Sequence, residues 1–215
     1  MIGWMIMMNR IIAYLEELIP NPVIELNYSK DYELLLAVML SAQATDKMVN
    51  AATSILFTKY PSLEALRDAD IEDIMDIIRP VGTFKRKALY LKKIVTELLD
   101  KYEGVVPNDR NRLEKLPGIG RKSANVVLSV LYNEPYIAVD THVSRVSVRL
   151  GLANSNDDVL TIEKKLTKII PKEKTKDMHL RLVLFGRYYC LARNPKCQNC
   201  KLYDICKTKE KERFK

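Results

Sequence analysis

The chain has 215 residues, of which 47% are hydrophobic and 29% charged, with a net charge of +8 and a pI near 9.2. That composition supports a packed core and excludes a disordered or low-complexity protein, while the positive balance favours a polyanionic partner such as nucleic acid over an acidic or neutral one. The charge is uneven: from Cys190 to Lys215 there are eight Lys or Arg against three Asp or Glu, so this stretch carries +5 of the +8.

The N-terminal run Met1 to Met8 is apolar but too short to span a bilayer, and its first charge, Arg10, follows the run instead of preceding it. Neither a signal peptide nor a membrane anchor is expected, and Met5, Met7 and Met8 are alternative starts. A cytoplasmic location under reducing conditions follows, nucleoid-associated in a prokaryote, with four cysteines kept out of disulfides.

Helical periodicity then runs nearly throughout: Arg10 to Ile19, Tyr32 to Ser41, Lys47 to Tyr60, Leu63 to Ala69, Ile71 to Ile78, Phe84 to Tyr102, Arg110 to Leu116, Arg121 to Leu131, Thr141 to Leu150, Asp157 to Ile170 and Asp177 to Tyr189. Breakers and capping residues stand between these segments, among them Pro61-Ser62, Pro80, Gly104, Pro107-Asn108, Pro117, Pro135 and Pro171. No segment alternates as a strand does, so the class is all-α.

Four places along this order carry candidate chemistry. Leu40-Ser41-Ala42-Gln43-Ala44-Thr45-Asp46 breaks one helix and caps the next with small polar residues, which by itself reads as a tight helix–helix turn. In Leu116-Pro117-Gly118-Ile119-Gly120-Arg121-Lys122, two glycines allow a sharp turn and close backbone approach. The following helix start aims N–H groups and a positive dipole end at that turn, which makes an anion site suited to a phosphate. The same potential, with Arg121 adjacent, disfavours an ammonium and makes Lys122 a candidate nucleophile; the alternative is a surface lysine in a first helical turn.

In Ile137-Ala138-Val139-Asp140-Thr141-His142-Val143, an apolar run stops at an acid able to cap the next helix and stay ionised there. His142, Arg145 and Arg149 form a basic stripe beside it that could face phosphate or solvent. Finally, Cys190-x6-Cys197-x2-Cys200-x5-Cys206 puts all four thiols into seventeen residues. Structural zinc usually shows two C-x2-C halves and only one such pair occurs, so the spacing favours an all-thiolate iron–sulfur cluster of structural rather than catalytic use. Arg193 and Lys196 lie in the longest interval, a basic loop fit to grip a backbone.

Together, the Leu116 to Ala124 hairpin with its lysine, Val139-Asp140-Thr141-His142, the cysteine spacing and Leu40 to Asp46 resemble the endonuclease III family of helix-hairpin-helix DNA glycosylases and apurinic lyases, over nearly the whole chain. The resemblance implies two lobes: a six-helix lobe over 24–134 containing the hairpin, and a lobe of 1–23 with 135–215 holding a [4Fe–4S] cluster on Cys190, Cys197, Cys200 and Cys206. It implies a monomer acting on double-stranded DNA that carries an oxidised pyrimidine or an abasic site. It makes Lys122 the Schiff-base lysine and Asp140 the essential acid, flanking a DNA groove.

The same resemblance makes Gln43 the residue that enters the gap left by a flipped nucleotide; the residues themselves offer Gly118, Gly120, His142, Arg145, Arg193 and Lys196 as further candidate DNA contacts. In Val81-Gly82-Thr83-Phe84 the chain departs from the family's pattern, which usually has a large apolar wedge after Gly82. Either Phe84 wedges in its place or intercalation by Thr83 is weaker, since a threonine methyl displaces little stacked surface. Two other readings share these motifs: a monofunctional mismatch glycosylase of the same fold, and a non-catalytic iron–sulfur DNA-binding or redox-sensing protein. Lys122 itself disfavours the first, and Lys122 together with Asp140 disfavours the second.

Overall fold

The structure, a computed structural model, describes residues 2–214, in which eleven α-helices and no strand occur. They are α1 (Ile2–Leu18), α2 (Asp31–Leu40), α3 (Asp46–Lys59), α4 (Leu63–Asp68), α5 (Ile71–Ile78), α6 (Phe84–Tyr102), α7 (Arg110–Leu113), α8 (Arg121–Tyr132), α9 (Thr141–Arg149), α10 (Val159–Ile169) and α11 (Thr175–Tyr188). Local chemistry starts many of them. Thr45, Ser62, Asp70, Asp109, Asp140 and Asp158 each accept a backbone N–H from the first turn of the helix they precede, satisfying donors that no intrahelical carbonyl can reach.

The chain divides into two compact units, one of residues 24–132 and one of residues 1–23 with 133–215. In the first, α2 is the central element. Every residue from Tyr32 to Leu40 is buried, with α3, α6 and α8 packed around it. A short helix apolar all round fits only at the middle of a bundle, which explains a segment with almost no polar face. The apolar stripe of α6 (Ala88, Leu91, Ile94, Val95, Leu98) completes this core. Of its seven helical stretches, Arg110–Leu113 is a single turn.

The second unit gathers α1, α9, α10 and α11 around Ile11, Leu15, Val143, Val146, Leu166, Leu182 and Phe185. The closest pairing is α9 against α11. Gly186 makes it possible: a Cβ there would stand 2.8 Å from the Cβ of His142 and 3.2 Å from its Cα, so only a glycine lets the two helices approach this far. The first helix corrects the sequence reading, since α1 begins at Ile2 instead of Arg10. The apolar N-terminal run continues a helix whose later turns supply Met8, Ile11, Ile12, Tyr14 and Leu15 to the core.

Candidate functional site

The helix-hairpin-helix is formed by α7, the turn over Pro117 to Gly120, and α8. Gly118 has φ +80°, and a Cβ on it would lie 2.7 Å from Cδ2 of Tyr90 and 3.2 Å from Cγ of Met39. Both backbone conformation and packing require glycine. Gly120 is different: nothing lies within 4 Å of a Cβ placed there. The protein's own packing leaves that face open. Lys122 is the second residue of α8, in the first turn, where the helix dipole is positive, and it is exposed.

Two further turns of this unit carry predicted DNA contacts. Gln43 follows the end of α2 and Thr83 precedes α6; both are exposed and both have left-handed backbone, at φ 57° and φ 43°. For a β-branched threonine this is an unusual conformation, costing about 1–3 kcal/mol unless the surroundings impose it. Thr83 stands at the N-cap of α6 without making a side-chain cap, unlike the six capped helices above. Phe84 is half-buried, with the Arg79 guanidinium 5.2 Å from its ring centroid. Between the two residues weighed as a wedge, Thr83 is therefore the exposed tip and Phe84 the ring held behind it.

Asp140 caps α9 as its position suggests: its Oδ1 accepts the N–H of Val143 at 2.8 Å. The basic stripe after it has internal partners, beginning with Arg145. That guanidinium donates to the carbonyls of Gly186 (2.6 Å) and Cys190 (3.1 Å), and its Nη2 lies 3.2 Å from Nδ1 of His142. Arg149 donates to the carbonyls of Leu191 (2.6 Å) and Ala192 (3.3 Å) and reaches Sγ of Cys190 at 3.4 Å. Arg145 is a strap between α9 and the cysteine loop, because carbonyls of an irregular loop need donors and these arginines supply forked ones. His142 is half-buried within the same knot.

The cysteine loop is held from the other side by α1. Arg10 grips Asp204 with two bonds of 2.5 and 2.7 Å and donates to the Lys201 carbonyl at 2.7 Å, and Lys201 pairs with Glu17. Within this frame all four cysteines are free thiols lining one cavity of about 160 Å³, walled by Tyr14, Leu18, Leu150, Phe185 and Tyr189. Four thiols lining one cavity are a donor set that fits an all-thiolate iron–sulfur cluster.

Burial first, and then the other thiols, push the Cys197 and Cys200 thiols up. Burial and Cys200 push the Tyr14 hydroxyl up to about 12. A bound iron–sulfur cluster would take these four cysteines as thiolates and offset their mutual repulsion, beside the apolar side chains of Tyr14, Phe185 and Tyr189. Arg193 and Lys196 are exposed in the same loop, the latter with its ammonium 5.3 Å from the Tyr189 ring centroid.

Sequence reasoning missed two groups. The loop straps Arg145 and Arg149 looked like a surface stripe, because nothing local reveals which carbonyls will come near. Lys87 went unremarked beside Lys85 and Arg86, and it is buried on α6. Its helical register with Leu91, Ile94 and Leu98 was the available signal.

Comparison with known proteins gives one consistent result. Residues 36–172 match the HhH-GPD superfamily base excision DNA repair protein family, and residues 190–206 match the iron-sulfur binding domain of endonuclease III. Endonuclease III of Bacillus subtilis (strain 168) is 44% identical over 195 residues, covering 91% of this chain and 89% of that one. Endonuclease III of Escherichia coli (strain K12) is 44% identical over 201 residues, 94% of this chain and 95% of the other.

Among solved structures, a non-covalent endonuclease III–DNA complex superposes with a TM-score of 0.92 at 43% identity, covering 98% and 99% of the two chains. A trapped endonuclease III–DNA covalent intermediate gives 0.89 at 45%, covering 96% and 98%. A thermostable thymine-DNA glycosylase shares the fold at a TM-score of 0.76 and 23% identity, covering 84% of this chain and 85% of that one.

Proposed function

The chain belongs to the endonuclease III family of base-excision DNA repair proteins, and we propose that it cuts DNA through an imine formed by Lys122. It is a DNA glycosylase and apurinic/apyrimidinic lyase that carries a [4Fe–4S] cluster. One observation supports the assignment of the lysine above others: an exposed amine stands in the first turn of α8, directly behind the glycine hairpin. The chain around it is 45% identical to a protein trapped covalently on DNA.

The proposed substrate is duplex DNA bearing an oxidised pyrimidine or an abasic site. The damaged nucleotide leaves the stack, at a cost lowest for a base that already pairs poorly. The amine of Lys122 attacks C1′, the N–C1′ bond to the base breaks with the electron pair leaving on the base, and the sugar opens to an imine. Loss of a C2′ proton then expels the 3′ phosphate by β-elimination. Asp140, held at the α9 N-terminus, stabilises the cationic sugar or takes the lysine proton.

Gly118 and Gly120 let the hairpin approach the DNA backbone, Arg193 and Lys196 add charge, and Gln43 and Thr83 probe the stack. Cys190, Cys197, Cys200 and Cys206 hold the cluster, which when bound supplies a rigid cross-link for the loop. The working form in this reading is a monomer acting in the cytoplasm, where cysteines stay reduced. Among the described residues no helix is long and apolar enough to cross a membrane.

Borohydride trapping on duplex DNA with an oxidised pyrimidine or abasic site tests this reading. Wild type is expected to give a covalent adduct and Lys122→Gln none. Absence of the wild-type adduct, or its persistence in the variant, would overturn the mechanism. Purified protein is expected to be yellow-brown, absorbing at about 400 nm through thiolate-to-iron charge transfer.

A further inference from the structure

Lys87 is 4% exposed, placed on the apolar face of α6 among residues that form the core. Its ammonium has three donors and no acceptor, so a buried position demands three partners. It has them: the carbonyls of Leu40 at 2.8 Å, Ala42 at 2.8 Å and Val81 at 2.7 Å. Leu40 is the last residue of α2, where carbonyls lack intrahelical donors and the helix dipole is negative. Val81 closes the 3-10 turn Arg79–Val81.

The two segments lead at once into the two strained tips, Gln43 and Thr83. One nitrogen therefore ties together the turns that present both. Satisfying buried carbonyls accounts for two of its bonds. The third goes to Ala42, an exposed turn residue whose carbonyl water could serve, so that bond fixes the shape of the turn. A spacer between the segments could have been apolar, and keeping a charge there costs desolvation. Burial, and secondarily Arg86, lower the pKa of this lysine.

We propose that Lys87 is a positioning residue for nucleotide extrusion: its ammonium holds the Gln43 turn and the Thr83 turn at one spacing, so that the two tips meet the duplex as a preset pair. This rests on the reading of Gln43 and Thr83 as DNA contacts. A pair held in advance enters the stack without first being ordered, the usual gain of preorganisation. Chemistry at Lys122 on a nucleotide already unpaired does not need the pair.

The test compares two substrates under single-turnover conditions with cluster-loaded protein: duplex DNA containing thymine glycol, and a single-stranded oligonucleotide containing an abasic site. Lys87→Met keeps the volume and removes the ammonium. Its cleavage rate on the duplex lesion is expected to fall about 100-fold, the scale of an ångström-sized misplacement, while the single-strand lyase rate stays within about threefold. Lys87→Arg, which keeps the charge but cannot aim three donors at converging carbonyls, should fall between. Equal losses on both substrates, or no loss on the duplex, overturn the proposal.

If Lys87→Met does not accumulate as folded protein, Gln43→Ala, Thr83→Ala and the double variant decide, because both side chains are exposed and their removal spares the core. Tips locked together should show non-additive losses in duplex activity, by at least about threefold, as coupled neighbours do; additive losses overturn the proposal. Failure of wild type to act on either substrate would sink the functional reading itself, which keeps the two outcomes apart.

Discussion

The unit of residues 24–132 and the unit of 1–23 with 133–215 each contain an irregular segment that must keep one shape, and they secure it differently. The hairpin of the first unit is held by what is local to it. Gly118 takes φ +80°, and α7 ends and α8 begins within a few residues on either side. The loop from Cys190 to Cys206 has only the short 3-10 turn Cys197–Asn199 as regular structure. It is held by side chains far away in sequence: Arg10 from α1, and Arg145 and Arg149 from α9. A turn built on glycine geometry is specified where it stands, whereas a loop built on borrowed donors and metal ligands exists only once the rest has folded.

That contrast can be broken or sharpened by experiment. The largest expected effect is chemical and leaves both segments intact. Lys122→Gln should lower adduct formation by at least about 10³-fold, as loss of a nucleophile does, with a melting temperature unchanged because the residue is exposed. Next comes the loop. Cys200→Ser should abolish the absorbance near 400 nm and destabilise the unit by about 2–5 kcal/mol, the scale of a lost covalent staple. Hydrogen exchange should report it first over 190–206, and protection lost instead over 116–122 would erase the distinction between the two units.

Gly118→Ala and Gly120→Ala form an internal control. The first should cost about 1–3 kcal/mol in denaturant unfolding, from strained φ and overpacking. The second should leave stability within about 1 kcal/mol while weakening DNA binding in a salt-dependent titration. Similar stability losses for both would mean that Gly120 serves internal packing. Arg149→Ala removes donors to the Leu191 and Ala192 carbonyls and should cost about 1–3 kcal/mol, with faster proteolysis of the loop as the readout.

The smallest effect is electrostatic. Lys165 and the Asn154 N–H hold the Asp157 carboxyl below its ordinary 3.8. A lowered folded-state pKa means stability present above pH 3.8 and lost as pH falls through the folded value. The pair is partly buried, with side-chain exposures of 37% for Lys165 and 13% for Asp157, so Asp157→Asn should alter the acid limb of the pH–stability curve and leave its shape near neutral pH in place.

Most helices were legible because their starts and stops are local. The predicted bounds of α5 and α6 are the observed ones, Ile71–Ile78 and Phe84–Tyr102, and Asp140 caps α9 as its place before Thr141 suggests. The start of α1 was not legible. Helical spacing of Met8, Ile11 and Leu15 is plain only once the core they enter is known. The carbonyl partners of Arg145 were not legible for a similar reason, since a guanidinium on a helix face looks the same whether phosphate or a distant carbonyl will meet it.

By itself, then, the order of residues determined the all-α class, the helix-hairpin-helix, the candidate nucleophile and the four-thiol ligand set. Periodicity, glycine and proline geometry and the intrinsic chemistry of lysine and cysteine act within a few residues of themselves. Only the tertiary structure decided that Arg145 and Arg149 strap a loop, that Gly186 admits α9, and that Lys87 is buried between two exposed tips. Each of these depends on which carbonyl or side chain a long-range fold brings within about 3–4 Å, the range of hydrogen bonds and packing contacts, and no local pattern encodes that neighbour.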